Sequence, residues 1–299
     1  MTSQRHLLPK ARELLDAQAG SEERIAHIKK PIFVPYPRGT ALLNDMEELL
    51  KAPKSSRPPN LLIIGRSNNG KTQLLREFMN RHRADERPSG DTTFAPVVFV
   101  QAPPTPSDRL FLDRTLRVFN IEARRSASDS DKLQLVLDQL RACETKVLLI
   151  DELHSILAGP VHRREAVLNT FKYLSNESGV SIVAAGTLAA RDQLLAASEL
   201  ASRFDVKSLT KWSYKGEDFR KLLWAFETAL PLHEPSNLQE PQIAKAIFGL
   251  SDECIGGAAR VVRDAAIAAL KAGQESITLA AVEAMQHRRD ADKGDGERI

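Results

Sequence analysis

The sequence predicts an α/β fold: a parallel sheet sandwiched by helices, followed by a small all-helical domain. Three observations carry that expectation. Short apolar runs recur at "LLII" (61–64), "PVVFVQ" (96–101), "KVLLI" (146–150) and "VSIVAAG" (180–186), with a weaker one at "FDVKSL" (204–209). Helical periodicity fills the gaps, and continuous apolar strands separated by helices are what a parallel sheet buried on both faces requires. Beyond about residue 211 the strand patterns stop and only helical ones follow.

Taken in order, residues 1–40 are mixed and polar and end in "PIFVPYPRG". Three prolines argue against a regular element there, so the segment reads as an N-terminal arm that crosses the domain or reaches a partner. The α/β domain spans 41–210. It opens with a helix over 41–52, with Leu42, Leu43, Met46, Leu49 and Leu50 on one side, and "KSSRPPN" breaks that helix before the first strand. Further helices are expected over 71–83 (Leu74, Leu75, Phe78, Met79), over 131–142 after the cap-like "SDSD" (Leu133, Val136, Leu137, Leu140), and over 163–177 (Val167, Leu168, Phe171, Leu174). The helical domain spans 211–289. There "EDFRKLLWAFETAL" sets Phe219, Leu222, Leu223, Phe226 and Leu230 on one face, and "PQIAKAIFGL", "GGAARVVRDAAIAAL" and "TLAAVEAMQHRR" follow. The polar "DADKGDGERI", 290–299, is expected to be a disordered tail.

Composition narrows the class. The 299 residues are 42% hydrophobic, enough for a sizeable core, and 42 Lys+Arg against 39 Asp+Glu leave a formal charge of +3. That balance permits a nucleic-acid partner without arguing for one. Cys143 and Cys254 have no metal-like spacing, which fits a reducing compartment. The N-terminus lacks the apolar stretch of a signal peptide, and no run of about 18 apolar residues occurs. The expectation is a cytoplasmic protein with no membrane partner.

Directly behind "LLII" stands "GRSNNGKT". Gly65, four residues, then Gly70-Lys71-Thr72 is the spacing by which a loop wraps its backbone N–H groups around a phosphate chain. Gly65 and Gly70 let the backbone turn and approach closely, with Arg66, Ser67, Asn68 and Asn69 between them. Asn68 and Asn69 tolerate left-handed dihedrals. Lys71 would reach the β- and γ-phosphates, the Thr72 hydroxyl would ligate Mg²⁺, and the helix opening at Lys71 adds its dipole. The nucleotide is expected to be ATP. No Asn-Lys-x-Asp base-reading motif for GTP is present.

In "KVLLIDELH", Asp151 and Glu152 stand at the carboxyl end of a buried strand, where open α/β sheets bind ligands. Asp151 would hold Mg²⁺ and Glu152 would polarise the attacking water. Thr187, ending "VSIVAAGT", is placed to meet that water or the γ-phosphate. Arg203 in "ELASRFD" could project into a neighbouring subunit's nucleotide, although spacing alone favours a surface pair with Glu199. Arg260 in "GGAAR" could touch the γ-phosphate, or simply be solvated. A zinc reading of His154 and His162 fails on the intervening Gly159-Pro160 and on the absence of a nearby cysteine.

Phosphate loop, acidic strand, polar strand end, Arg-Phe and a helical-domain arginine, in that order, resemble the AAA+ ATPases. "YPRGTALLNDMEELL", "PPNLLIIGRSNNGKTQLLREF", "VLLIDELHSILAG" with "RREAVLNTFKYLSNE", "VAAGTLAARDQLL" with "ELASRFD", and "LTKWSYKGEDFRKLL" are more closely similar to the TniB/TnsC family. These are AAA+ regulators of Tn7-like and Tn5053-like transposons, including CRISPR-associated ones, and the likeness covers roughly residues 30 to 230. It implies ATP-dependent oligomers, rings or filaments, on double-stranded DNA. It also implies recruitment of a DDE transposase, a TniQ-like targeting adaptor as partner, and hydrolysis that disassembles the oligomer. By the same likeness Lys71 and Thr72 bind phosphate and Mg²⁺, Asp151 and Glu152 drive hydrolysis, Thr187 senses the γ-phosphate, Arg203 acts in trans, and Arg260 belongs to the lid.

The DNA-contacting surface falls, in related ATPases, after the second strand. Here that segment is "QAPPTPSDRLFLDRTLRVFNIEARRSASDS", whose Arg109, Arg114, Arg117, Arg124 and Arg125 modestly exceed Asp108, Asp113 and Glu122. No aromatic interleaving suggests base stacking, so sequence-independent phosphate contact through Arg109, Arg124 and Arg125 is expected. Competing readings are a small P-loop phosphotransferase, another AAA+ DNA-loading ATPase such as a replication initiator, and a scaffold that binds ATP only to assemble.

Overall fold

The structure, a computed structural model, describes residues 7–31, 33–86, 93–196 and 202–286. It divides into two compact units. One comprises Arg38–Thr210, and the other Met1–Pro37 together with Lys211–Ile299.

The Arg38–Thr210 unit is built on five parallel strands, β1 (Asn60–Gly65), β4 (Val97–Gln101), β5 (Val147–Asp151), β6 (Ser181–Gly186) and β7 (Phe204–Leu209), in the order β4-β5-β6-β1-β7. Composition matches position in the sheet. The three inner strands "NLLIIG", "VLLID" and "SIVAAG" are buried at every residue, because helices cover both faces. The edge strands carry polar or partly exposed positions, Gln101 in β4 and Asp205, Lys207 and Ser208 in β7. A two-residue antiparallel pair, β2 (Asp85–Glu86) with β3 (Thr93–Phe94), precedes β4.

The helices of this unit are α3 (Pro37–Lys51), α4 (Lys71–Arg81), α5 (Asp108–Val118), α6 (Asp129–Ala142), α7 (Leu153–Leu157), α8 (Val161–Ser178) and α9 (Leu188–Leu195). The expected helices are present with ends shifted by a few residues. Pro37, grouped above with the prolines that break structure, begins α3, where a first-turn proline loses no hydrogen bond. Ser128 and Asp131 close a reciprocal capping box on α6. Leu62, Ile64, Val98, Phe111, Leu148, Ile150, Phe171 and Ile182 lie in one apolar core between sheet and helices. Gly186 has a steric reason: a Cβ there would lie 2.9 Å from the Ala190 Cβ, so α9 could not approach β6 this closely.

The second unit holds α1 (Pro9–Asp16), α2 (Ser21–Lys29), α10 (Glu217–Thr228), α11 (Pro241–Leu250) and α12 (Ile255–Lys271), with residues 279–286 helical as well. This changes the reading of residues 1–40 as an arm. Ile25, Ile28 and Tyr36 share a core with Trp212, Phe219, Leu222, Ile247 and Val262 of the C-terminal segment. Arg24 is 6% exposed and donates from both terminal nitrogens to Glu275, at 2.7 and 2.8 Å, and to the Pro231 carbonyl. The two helices are too short for their periodicity to stand out, but Pro9 at the first position of α1 and Glu22 and Glu23 in the first turn of α2 are start signals visible in the sequence. The expected tail and Glu199 lie outside the described residues.

Candidate functional site

The loop between β1 and α4 leaves the carboxyl end of a central strand and opens a helix, the arrangement that aims backbone N–H groups and the positive helix end at an anion. Gly70 sits at φ +83°, accessible mainly to glycine, and Asn68 at φ +61°. Asn69 does not share that conformation. It is 3% exposed, and its side-chain amide donates to the Leu209 carbonyl at 2.9 Å, pinning the loop to the end of β7. At Gly65 a Cβ would stand 3.1 Å from the Leu209 Cβ and 3.2 Å from its carbonyl oxygen, so the first glycine preserves this approach.

Lys71, at 7% exposure, donates from Nζ to the Gly65 and Arg66 carbonyls, both at 2.9 Å. Burial pushes its ammonium below the ordinary lysine range, with Glu152 and Asp151 acting in the opposite direction. A buried ammonium whose hydrogen bonds, among the described residues, go to two carbonyls is one that a phosphate oxygen would stabilise. The Thr72 hydroxyl donates to Asp151 Oδ2 at 2.7 Å, joining residues 79 positions apart, and Asp151 Oδ1 accepts from the Glu152 backbone N–H at 2.9 Å. A hydroxyl and a buried carboxylate converging beside a phosphate-binding loop suit a hard divalent cation with oxygen ligands, so these side chains fit Mg²⁺.

Glu152 stands at the start of α7 in the left-handed region, φ +57° and ψ +37°. Glu144 and Glu253 share this conformation, at φ +51° and +59°, so it is one of several such turns in the chain. His154 Nε2 lies 3.1 Å from its Oε2. Thr187 follows the last residue of β6 and precedes α9, and its hydroxyl does not cap that helix. Loop, acidic pair and Thr187 therefore share the carboxyl edge of the sheet.

Two expected residues are placed elsewhere. Arg203 precedes β7, and its backbone carbonyl accepts from Asn60 at the start of β1, so it lies at the opposite end of the strands from the loop. Its guanidinium donates to the Asn176 side chain on α8, a partner the spacing argument could not see. Arg260 belongs to α12 in the other unit, half exposed, with Nη2 4.0 Å from Asp252 Oδ2.

Among the arginines expected at DNA, Arg109 is held within the protein. It pairs with Asp129 at 2.5 Å and donates to the Arg125 and Ala127 carbonyls, bracing the turn between α5 and α6. Arg114 caps the end of β4 through the Gln101 and Ala102 carbonyls. Arg124 and Arg125 are exposed on that turn.

The fold is shared with several solved structures. The Aeropyrum pernix ORC2 protein in ADPNP-ADP complexes superposes with a TM-score of 0.60 at 19% identity, covering 89% of this chain and 71% of that one. The A. pernix ORC1 protein in complex with DNA gives 0.61 at 15%, covering 90% and 70%. The Thermotoga maritima RuvB Holliday junction branch migration motor gives 0.53 at 14%, covering 85% and 70%. Among curated proteins no relative matches. Fold and phosphate loop together define an AAA+ P-loop ATPase. Residues 24–214 match the family model for the bacterial TniB protein, and the chain belongs to the TniB family. No helix among the described residues is long and apolar enough to cross a membrane.

Proposed function

We propose that this TniB-family ATPase binds ATP at the β1–α4 loop and assembles into a ring or filament on double-stranded DNA without regard to sequence. There it recruits a DDE transposase with a TniQ-like targeting adaptor, and hydrolysis dismantles the assembly. The observation that carries the nucleotide half is the Thr72–Asp151 hydrogen bond of 2.7 Å, which places a hydroxyl, a carboxylate and the phosphate loop at one edge of the sheet. Lys71 and the loop N–H groups hold the phosphates. Glu152 accepts a proton from the attacking water, and Thr187 orients that water or the γ-phosphate. Thr72 and Asp151 would hold Mg²⁺, which would neutralise charge on the phosphate oxygens when bound.

Arg203, at the far end of the strands, does not serve its own loop. That supports its action on a neighbouring copy's nucleotide, and hence an oligomer whose hydrolysis depends on assembly. Arg260 is the proposed γ-phosphate contact from the helical unit. For DNA, the exposed Arg124 and Arg125 make phosphate contacts, and Arg109 shapes the turn that presents them. Residues 1–40 and the C-terminal tail are proposed for contacts with the transposition partners, and the compartment is the cytoplasm.

The test is negative-stain microscopy of the protein on duplex DNA, with and without a slowly hydrolysed ATP analogue. Rings or filaments on DNA only with nucleotide, absent in Lys71→Ala, are expected. Monomers under both conditions would overturn the proposal and favour a phosphotransferase.

A further inference from the structure

The helical unit holds a concentration of positive charge that ATP hydrolysis leaves without a task. Where α1 begins, α2 ends and α10 gives way to Ala229, a cavity of about 220 Å³ opens. Three of its lining side chains, Lys10, His27 and Lys30, are basic, and no carboxylate lines it. Its volume lies below the roughly 300–1,000 Å³ of sites for drug-sized ligands, which suits a small group.

The fold fixes the frame around this cavity. The Leu8 N–H donates to the Thr228 carbonyl at 2.7 Å, tying the start of α1 to the end of α10. A proline favours an extended backbone in the residue before it. Lys30, which precedes Pro31, has that conformation, φ −69° and ψ +138°, so α2 ends there. Its N–H still closes on the His27 carbonyl at 3.0 Å. Local rules therefore set His27 and Lys30 at one helix end, and tertiary packing brings Lys10 to them from another helix.

The charges around the cavity are one-sided. Neither Lys10 nor Lys30 has an ion pair among the described residues. Both are exposed, so water and salt relieve much of their repulsion. His27, at 6% exposure, has no such relief. Burial holds its imidazole below the ordinary histidine range, the Ala229 backbone acts the other way, and Lys10 and Lys30 lower it further. The charged groups acting on the ring, one from α1 and one from the end of α2, are thus both cations. An anion in the cavity would offset the repulsion at all three groups.

We propose that this cavity binds a phosphate group, held by the ammonium groups of Lys10 and Lys30 with the buried His27 imidazole lining the same space. Lysine serves toward phosphate as a point charge. A phosphate monoester carries about −1.5 to −2 near pH 7 and so matches two cations, where a carboxylate would match one. Lys71 and the β1–α4 loop play no part in this site. Free phosphate and the DNA backbone share the chemistry, and the test separates them.

The test follows the His27 ring signals of the full, nucleotide-free chain by NMR as inorganic phosphate is added, with chloride at equal ionic strength as control. A saturable shift is expected with phosphate only, and the apparent pKa of the ring should rise as phosphate binds, because a nearby anion favours the imidazolium. Both lysines are exposed, so folding does not depend on them. Lys10→Ala and Lys30→Ala should each weaken binding by about tenfold, and Lys10→Arg and Lys30→Arg should keep it within about threefold of native. Lys71→Met, which removes the phosphate loop's own cation, should leave the His27 response unchanged. Duplex DNA is then added in place of phosphate. A shift with DNA that the two alanine variants weaken names the backbone as the source, and a shift with inorganic phosphate alone names the free ion. No saturable shift with either overturns the proposal. So does an equal response to chloride, a response that both alanine variants leave intact, or one lost in Lys71→Met.

Discussion

Buried charge is handled differently in the two compact units. In the helical unit, Arg24 is answered by both oxygens of Glu275 and by the Pro231 carbonyl. The carboxylate of Glu227, itself 6% exposed, accepts three backbone N–H bonds, from Ser236, Asn237 and Leu238, at 2.7 to 3.0 Å. At the carboxyl edge of the sheet, Lys71 is met among the described residues by two loop carbonyls and no carboxylate hydrogen bond, and Glu152 sits in a left-handed turn. The first kind of buried charge is spent on joining chain segments. The second is left incomplete, which costs stability and leaves room for a ligand to complete it.

Breaking the first kind should give the largest effect. Arg24→Ala removes a buried cation from a bidentate pair and should cost about 3 kcal/mol in urea denaturation, near the lower bound for such pairs because Glu275 is partly exposed. The change also has a pH signature. Arg24 holds the Glu275 carboxyl below the ordinary value of 4.5, so the native pair's contribution is present above that value and lost as pH falls through the lowered one. Acid denaturation curves of native and variant protein should converge there, and parallel curves would contradict the pairing.

Lys71→Met sharpens the contrast from the other side. Removing a cation that burial disfavours should leave the nucleotide-free chain no less stable, with a gain of up to about 1 kcal/mol, while abolishing stabilisation by ATP. A clear loss of stability without nucleotide would show that Lys71 belongs to the scaffold. The smallest effect concerns His27, 6% exposed in the helical unit, whose imidazole burial holds below 6.5. As pH falls through about 6.5 the unfolded chain takes up the proton first, so stability should decline until the lowered native value is reached. His27→Gln should flatten that decline in thermal melts between pH 7 and 5.

The sequence by itself determined what contiguous residues encode. Gly65, Gly70, Lys71 and Thr72 set the phosphate loop because their spacing fixes backbone turns and donors over one short stretch. The inner strands are legible because burial on both faces demands unbroken apolar runs, and Ser128 marks a helix start because its cap bond is local. The tertiary structure alone decided which distant groups meet. It took Asn69 from an expected left-handed turn to a bond with Leu209, and Arg203 to Asn176 at the far end of the sheet. It also folded the N-terminal helices into the C-terminal core. The reason is physical: periodicity reports that a face is buried but not against what, and side-chain pairs joined by chain closure leave no signature in local spacing. His154 and Glu152 lie in between. Their proximity in sequence was visible, but not that Glu152 would take a left-handed backbone or that its Oε2 would lie 3.1 Å from the imidazole Nε2.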